Sequence, residues 1–251
     1  MAAKTQEKEK EEETPKARPG KFNVERVKTG VEGLDEMMAG GIPKGNLIVL
    51  SGDPGSGKTV LCWEFLYEGI TKYNDNAVYV SLEETEETIY QGAMEFGWDL
   101  KKLVKEGKLL IVTVELYDFE RLKAAIEDNV KAINAKRVVI DPGVIFRLFF
   151  DRELDARKRI VSLGKMLKAI GVTTIITNEI SLDKISSLYG LEEYVADGVI
   201  LLYHTKIKNR FIRSIAVLKM RNTEIAEKLK PVKISSTGIT VLAKSELFDE
   251  V

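Results

Sequence analysis

The chain has little of the chemistry that supports disulfide scaffolds or membrane insertion. It contains one cysteine among 251 residues, which excludes an internal disulfide framework and is typical of a reducing, intracellular setting. No apolar run approaches the roughly 20 residues needed to span a bilayer. The charged N-terminus carries no apolar signal-peptide segment. We therefore expect a cytoplasmic protein with no membrane partner.

An excess of charge of one sign is also missing. The chain has 38 basic and 39 acidic residues, a formal net charge of -1, so no global basic field indicates nucleic acid or an anionic surface. Residues 1–21 mix both signs and contain almost no large apolar side chains. They cannot bury enough surface to order themselves and are predicted to be a flexible tail. Residues 22–251 are long enough to form one large domain around a substantial core.

Short runs rich in Val, Ile and Leu alternate with helical patterns along this domain. Strands are predicted at 46–52, 76–82, 108–114, 136–141 and 172–178, and helices from 58 to 70, over about 85–97, 118–134 and 152–170. This alternation favours a mostly parallel, twisted sheet flanked by helices, an α/β fold. Three further strand-like runs, 197–204, 213–221 and 238–242, follow without helices between them. They predict an antiparallel C-terminal extension of the same sheet.

The first strand runs directly into the sequence GDPGSGKT, residues 52–59. This fits the phosphate-loop pattern G-x-x-x-x-G-K-[ST] in the strand–loop–helix context that the pattern requires. Glycines let backbone N–H groups surround phosphate oxygens, and the helix N-terminus adds its positive end. Lys58 would reach the β- and γ-phosphates of ATP, and the Thr59 hydroxyl would ligate Mg²⁺. The predicted nucleotide-binding residues here are Gly52, Asp53, Pro54, Gly55, Ser56, Gly57, Lys58, Thr59 and Val60.

A second magnesium ligand is expected at the end of the fourth strand. Asp141 closes the run VVID, which places its carboxylate at the carboxyl edge of the parallel sheet, where ligands bind in such folds. We predict that it holds Mg²⁺ directly or through water, together with Thr59. The alternative is an aspartate that caps a helix after the strand.

Hydrolysis also needs a group that orients the attacking water. The second strand ends in SLEE, so Glu83 and Glu84 lie at the same predicted edge, where a carboxylate would polarise water for in-line attack. Glu83 is the first choice and Glu84 the second. The alternative is that both cap the helix starting near Thr85, since acids favour a helix N-terminus. Asn178, at the end of the fifth strand, is a candidate sensor of the γ-phosphate or a simple turn residue.

Two cations stand near the end of the last long strand-like run. In VLKMRNT, residues 217–223, Lys219 and Arg221 alternate with Met220. Strand alternation predicts that both cations share one face with Val217 and Ile215, and that Met220 lies on the other. A surface ion pair on an exposed strand is one explanation.

Together these motifs resemble the RecA superfamily and, within it, the single-domain KaiC-like ATPases of archaea, over about residues 26–243. The stretches that carry the resemblance are RVKTGVEGLDEMMAGGIPKGNLIVLSGDPGSGKT, VYVSLEET, YGLEEYVADGVILL, VLKMRNT and PVKISSTGITV. The resemblance implies a RecA-like P-loop NTPase fold. It also implies a homo-oligomeric ring, usually a hexamer, with ATP held at the subunit interfaces.

The resemblance assigns further residues. In that family a K-x-R pair on a late strand reaches the neighbour's γ-phosphate, and Lys219 and Arg221 occupy that motif. The segment 234–239 would line adenine and ribose, which assigns Ile234 and Ser235 to the nucleotide. The family usually has serine after the metal-binding aspartate, where this chain has Pro142. Proline offers neither a hydroxyl nor an N–H, which leaves open slow turnover or a different hold on Asp141.

Binding of DNA is possible but not favoured. The segment 179–197 carries one lysine, Lys184, against five acids, Glu179, Asp183, Glu192, Glu193 and Asp197, and such a loop repels phosphate. The segment 143–159 is richer, with Arg147, Arg152, Arg157, Lys158 and Arg159 among Phe146, Phe149 and Phe150. It could stack on single-stranded bases, form a subunit contact, or be a core edge followed by a solvated helix face, the interpretation we favour.

We therefore rank a signalling, assembly or regulatory ATPase with an unknown protein partner first. A RadA-paralogue ATPase of DNA recombination or repair ranks second. An ATP-sensing assembly factor with little turnover is the third reading.

Overall fold

The computed structural model describes residues 24–113, 118–143, 153–179 and 195–246, which form eleven strands and five α-helices. The strands are β1 (Arg26–Val27), β2 (Ile42–Pro43), β3 (Leu47–Gly52), β4 (Ala77–Ser81), β5 (Leu109–Thr113), β6 (Arg137–Asp141), β7 (Thr173–Glu179), β8 (Gly198–Ile207), β9 (Arg210–Met220), β10 (Lys230–Ser235) and β11 (Gly238–Val241). The helices are α1 (Lys58–Tyr73), α2 (Glu86–Met94), α3 (Leu100–Lys105), α4 (Phe119–Ala132) and α5 (Glu153–Ala169), with a 3₁₀ turn at Asp35–Met38.

Nine of the strands form one sheet in the order β11-β10-β9-β8-β3-β7-β6-β4-β5. The strands β8, β3, β7, β6, β4 and β5 run parallel to their neighbours in this order, and β9, β10 and β11 continue the sheet antiparallel. This arrangement confirms the predicted α/β fold with an antiparallel C-terminal extension. Strands β1 and β2 pair separately.

Helices cover both faces of the sheet, which explains the near-continuous apolar runs. Every residue of β3, β4 and β6 is buried. On one face Ile48 and Leu50 join Phe65 of α1 in one hydrophobic cluster. On the other face Val80 packs in a second cluster with Leu122 of α4, to which α5 also contributes. A strand buried on both faces has no polar side to alternate with.

Several elements extend or add to the predicted pattern. The boundaries of the strands from β3 to β7 agree with the predictions to within one residue, whereas β8 and β9 form a hairpin that is longer than predicted. The short helix α3 and the strands β1, β2 and β10 were not predicted. Residues 1–23, which include the predicted tail, lie outside the described residues. No helix in the described part of the chain is long and apolar enough to cross a membrane.

The predicted alternation along VLKMR is wrong because β9 contains a bulge. Val199 pairs with Lys219, but the next residue, Ile200, pairs with Val217, so Leu218 is an extra residue in the ladder. One extra residue reverses which face the following side chains occupy. Met220 therefore lies in the same buried cluster as Val217, and Lys219 leaves that face. The bulge therefore directs the Lys219 side chain away from the core, so that its charge is not buried there.

A buried glutamate joins α1 to the last strand of the sheet. Glu64 is 5% exposed, and its Oε2 accepts a hydrogen bond from the Ile239 amide at 2.8 Å. Burial raises the pKa of the Glu64 carboxyl to about 7, with Glu68 contributing to the rise and the Ile239 amide opposing it. The folded state therefore holds a proton at Glu64 over a pH range in which the unfolded chain releases it.

We predict that Glu64→Gln changes how stability depends on pH. The contribution of the Glu64 proton to folding is fully present below the usual pKa of 4.5 and is lost as pH rises through about 7. Glutamine stays neutral, so the variant should gain on the order of 2–3 kcal/mol over the wild type between pH 5 and pH 8. Urea unfolding at both pH values measures this gain. The exposed Glu95→Gln is the control, and parallel curves for wild type and Glu64→Gln would contradict the prediction.

Candidate nucleotide-binding site

The phosphate loop lies between the end of β3 and the start of α1. Gly57 has φ 107° and immediately precedes α1, where no side chain caps the helix; its first N–H groups are thus open to an anion. A Cβ at Gly57 would lie 2.7 Å from Ile234 Cδ1, and one at Gly52 would lie 2.2 Å from the Leu202 carbonyl oxygen. Glycine is required at position 52 because the β8 backbone approaches it so closely, and at position 57 because other residues rarely adopt its positive φ.

The Lys58 side chain is hydrogen-bonded to the backbone of the phosphate loop. Its Nζ donates to the carbonyl oxygens of Gly52 at 3.0 Å and Asp53 at 2.9 Å. Burial lowers the pKa of the Lys58 ammonium, and the carboxylates of Glu179 and Asp141 oppose that change. The ammonium is thus held at the mouth of the loop, as a β/γ-phosphate ligand would be.

The two predicted magnesium residues meet in the structure. The Thr59 hydroxyl donates to Asp141 Oδ2 at 2.8 Å, and the Tyr79 hydroxyl donates to the same oxygen at 3.1 Å. The Thr177 hydroxyl donates to Asp141 Oδ1. Three hydroxyl groups from α1, β4 and β7 therefore orient this carboxylate at the end of β6. The peptide bond between Asp141 and Pro142 is cis.

Glu83 and Glu84 follow β4 and line the same cavity. Thr85 is the residue that caps α2, since its side chain accepts from the Thr88 amide. The acids of the first helical turn are Glu86 and Glu87. The structure therefore favours the cavity over the capping explanation for Glu83 and Glu84. Burial raises the pKa of Glu84, and the charges of Asp141 and Glu83 add to the rise.

The cavity beside the loop encloses about 460 Å³, a size typical of small-molecule sites. Its lining residues are Gly55, Gly57, Lys58, Thr59, Val60, Tyr79, Glu83, Glu84, Asp141, Pro142, Glu179, Arg213 and Ile234. Among the described lining residues four carboxylates outnumber two cations, so a polyphosphate would be repelled unless a divalent cation entered with it.

The donors at this cavity fit Mg²⁺. Magnesium prefers hard oxygen ligands and is usually held by one or two carboxylates together with substrate phosphates and water. Thr59 and Asp141 supply such oxygens. Within the described residues no group of three or more His, Cys, Asp or Glu side chains is arranged to hold an ion by itself.

Three lining residues were missed by the sequence reasoning: Tyr79, Glu179 and Arg213. Tyr79 lies in the buried strand β4, where a side chain is expected to pack in the core. Glu179 was assigned to the acidic segment 179–197. Asn178, the candidate γ-phosphate sensor or turn residue, is 1% exposed and pairs in register with Ser51. Its neighbour Glu179 is the residue that faces the cavity.

The two predicted base-binding residues, Ile234 and Ser235, lie at the end of β10. Ile234 lines the cavity next to Gly57. Ser235 ends β10 at the turn into β11, where its hydroxyl lies 3.0 Å from that of Thr237. The structure thus brings Ile234 to the phosphate loop and leaves Ser235 exposed at the hairpin turn.

Lys219 and Arg221 lie at the opposite edge of the sheet. Lys219 Nζ donates to the Ala196 carbonyl at 2.7 Å, and Arg221 Nη1 donates to Asp197 Oδ1 at 3.2 Å. Asp197 Oδ2 accepts from the amide of Leu47, the first residue of β3. The phosphate loop begins at the other end of that strand, about 17 Å away. These cations therefore cannot serve the loop of their own chain.

The candidate DNA-binding segments fall mostly outside the described residues. This applies to residues 144–152, with Phe146, Arg147, Phe149, Phe150 and Arg152, and to residues 180–194, with Asp183, Lys184, Glu192 and Glu193. In the described part, Arg157, Lys158 and Arg159 are exposed on α5, and Arg159 pairs with Glu120 of α4. This portion agrees with a solvated helix face.

A parallel sheet with a phosphate loop between β3 and α1, and an aspartate at the end of β6, defines a RecA-like P-loop fold. The family model described as "ATPase: KaiC" matches residues 27–246, and the chain therefore belongs to the KaiC ATPase family. The crystal structure of the KaiC-like protein PH0186 from Pyrococcus horikoshii superposes with a TM-score of 0.81 at 38% identity, covering 87% of this chain and 99% of that one.

Curated relatives are of two lengths. A UPF0273 protein of Methanocaldococcus jannaschii is 34% identical over 235 residues, which are 87% of this chain and 96% of that protein. The circadian clock oscillator protein KaiC of Acaryochloris marina is 35% identical over 233 residues, which are 88% of this chain but only 44% of that protein. The chain thus spans less than half of the clock protein and nearly all of the archaeal relative.

We predict that Asp141→Asn removes most of the benefit of Mg²⁺ for nucleotide binding. The wild type should bind a non-hydrolysable ATP analogue more tightly with Mg²⁺ than with EDTA, because the cation offsets the excess of carboxylates. Loss of the charged ligand should reduce that gain by about tenfold or more, or about 1.4 kcal/mol. Calorimetric titration measures it. Tyr79→Phe, which removes one hydroxyl from the same carboxylate, should keep the gain, and an unchanged gain in Asp141→Asn would refute the assignment.

Proposed function

We propose that the chain binds Mg·ATP and hydrolyses it to ADP and phosphate at interfaces between copies of itself in a closed, hexameric ring. The observation that carries this proposal is the separation of two sets of groups. The loop, Asp141 and Glu83 lie at one edge of the sheet, and Lys219 and Arg221 lie at the other. A head-to-tail contact between copies would join one edge to the other and generates a ring when it closes.

The proposed chemistry uses groups from two chains. Glu83 accepts a proton from water as the water oxygen attacks the γ-phosphorus, and the bond from that phosphorus to the ADP oxygen breaks. Lys58 of the same chain and Arg221 of the neighbour offset the charge on the transferred group. Thr59 and Asp141 would hold Mg²⁺, which would supply positive charge to offset that of the phosphates. Pro142 offers neither a hydroxyl nor a backbone N–H for a hydrogen bond at the site, which supports a slow turnover.

The proposed setting is a cytoplasmic regulatory or assembly ATPase. Residues 22–251 would form the ATPase domain and residues 1–21 a flexible tail that precedes it. The balanced charge of the chain and the exposed, partly paired basic residues of α5 support a protein partner over nucleic acid. A partner pull-down with ATP and with ADP would identify it.

We expect Glu83→Gln to abolish turnover but keep ATP binding. Loss of a general base costs typically 10²–10⁴ in rate, whereas the loop, Lys58 and Asp141 remain to bind the nucleotide. Phosphate release and analogue titration, run side by side, measure the two effects. Glu84→Gln is the matched control, with a smaller expected loss. Tight ATP binding by a wild type that shows negligible turnover would reject hydrolysis and favour the ATP-sensing assembly factor.

Mixing two inactive variants tests action across the interface. Arg221→Ala alone should lose roughly 10³–10⁵ in rate, and Glu83→Gln alone should also be inactive. In random mixed rings about one interface in four joins an intact Glu83 to an intact Arg221, so about a quarter of wild-type activity should return.

The control mixture is Lys58→Ala with Glu83→Gln. Both changes affect the same half of the site, so no activity should return. If the Arg221→Ala mixture also stays inactive, Arg221 does not act on a neighbour.

A further inference from the structure

The hairpin of β8 and β9 passes directly beside the phosphate loop. The His204 amide donates to Asp53 Oδ2 at 3.1 Å. The Arg213 guanidinium donates twice to the Gly55 carbonyl oxygen, from Nε at 3.2 Å and from Nη2 at 3.1 Å. The loop is therefore held from outside by two residues that are more than 140 positions away in sequence.

The register of the hairpin places Arg213 over the loop. Leu202 pairs with Ile215, and both belong to the buried cluster that packs on α1. His204 pairs with Arg213, two residues nearer the hairpin tip on each strand, so this pair lies on the same face. The same face of the hairpin therefore packs in the core at Leu202 and lines the nucleotide cavity at Arg213.

We propose that Arg213 is a positioning residue of the nucleotide site that acts on the loop of its own chain. It holds the peptide group between Gly55 and Ser56 from one side, while the Ser56 amide donates to the Asp53 carbonyl at 3.2 Å on the other. With that peptide fixed, the N–H groups that follow keep the direction that a phosphate requires. This inference rests on the proposed nucleotide site.

The chemistry of arginine suits this position. Its planar guanidinium stays charged and presents two parallel N–H donors to one acceptor, an arrangement that lysine cannot reproduce. It is also one of only two cations among the described lining residues of a cavity with four carboxylates. Arg213 thus both shapes the loop and reduces repulsion of the incoming phosphates.

The first test is equilibrium binding of ADP with Mg²⁺, which needs neither turnover nor a ring. Because the loop contacts phosphates shared by both nucleotides, Arg213→Ala should weaken ADP and a non-hydrolysable ATP analogue by a similar factor, about tenfold to a hundredfold. Arg213→Lys should recover only part of the loss. Arg210→Ala, at the exposed start of the same strand, is the matched control and should bind as the wild type does.

Two results would overturn the proposal: ADP affinity of Arg213→Ala within twofold of the wild type, or full recovery by Arg213→Lys. Thermal unfolding establishes that the variants are folded, and Arg213→Gln, which fills similar space, carries the same test if the alanine variant unfolds. In steady-state assays KM should rise with little change in kcat, since the interaction is present before and during reaction.

Mixed rings then separate Arg213 from Arg221. At low ATP, Arg213→Ala mixed with Arg221→Ala should regain activity, because the two residues serve different sites. Arg213→Ala mixed with Glu83→Gln should regain none, because both belong to one site, and recovery there would overturn the assignment to the same chain. If the ring or the hydrolysis proposal fails, the ADP measurements still decide the role of Arg213.

Discussion

Parallel pairing of β3 with β7 and β8 is the constraint on which the rest of the structure depends. It sends the carboxyl ends of the parallel strands to one edge, so the phosphate loop, Asp141 and Glu179 converge there from strands far apart in sequence. The amino ends meet at the other edge, where Asp197 bonds to Leu47. The length of one strand separates the two edges, and this length divides the proposed chemistry between neighbouring chains.

The antiparallel strand β9 and the residue that follows it contribute cationic side chains at both edges. It begins beside the phosphate loop, where Arg213 bonds to Gly55, and leads to the opposite edge, where Arg221 bonds to Asp197. A parallel strand would reach the loop edge at its carboxyl end only. The bulge at Leu218 turns Lys219 away from the core and returns Met220 to it. In the proposed ring, Arg213 thus serves the phosphate loop of its own chain, and Lys219 and Arg221 serve the loop of the neighbouring chain.

The sequence predicted those parts of the fold and site that local pattern encodes. Buried parallel strands are continuous apolar runs, and a loop with GDPGSGKT after such a run has a definite position. The sequence therefore predicted Lys58, Thr59 and Asp141 at one edge of the sheet, and Thr59 donates to Asp141 there. The bulge at Leu218 could not be predicted from the sequence, since any residue can be the additional one in a bulge. Arg213 became a site residue only through the register between β8 and β9. Helix α3 has six residues, too few for a periodic pattern.

Asp197 explains how Arg221 can be held at the sheet edge and still act elsewhere. Its carboxylate is 3% exposed and accepts from Leu47 N and Lys168 Nζ as well as from Arg221. Removing the only partner of a buried charge costs several kcal/mol, but Lys168 and the Leu47 amide would remain if Arg221 turned to a neighbour's phosphate. The Arg221 side chain is 54% exposed and thus already reaches solvent. In the proposed ring Asp197 would orient Arg221 without binding it too strongly to be released.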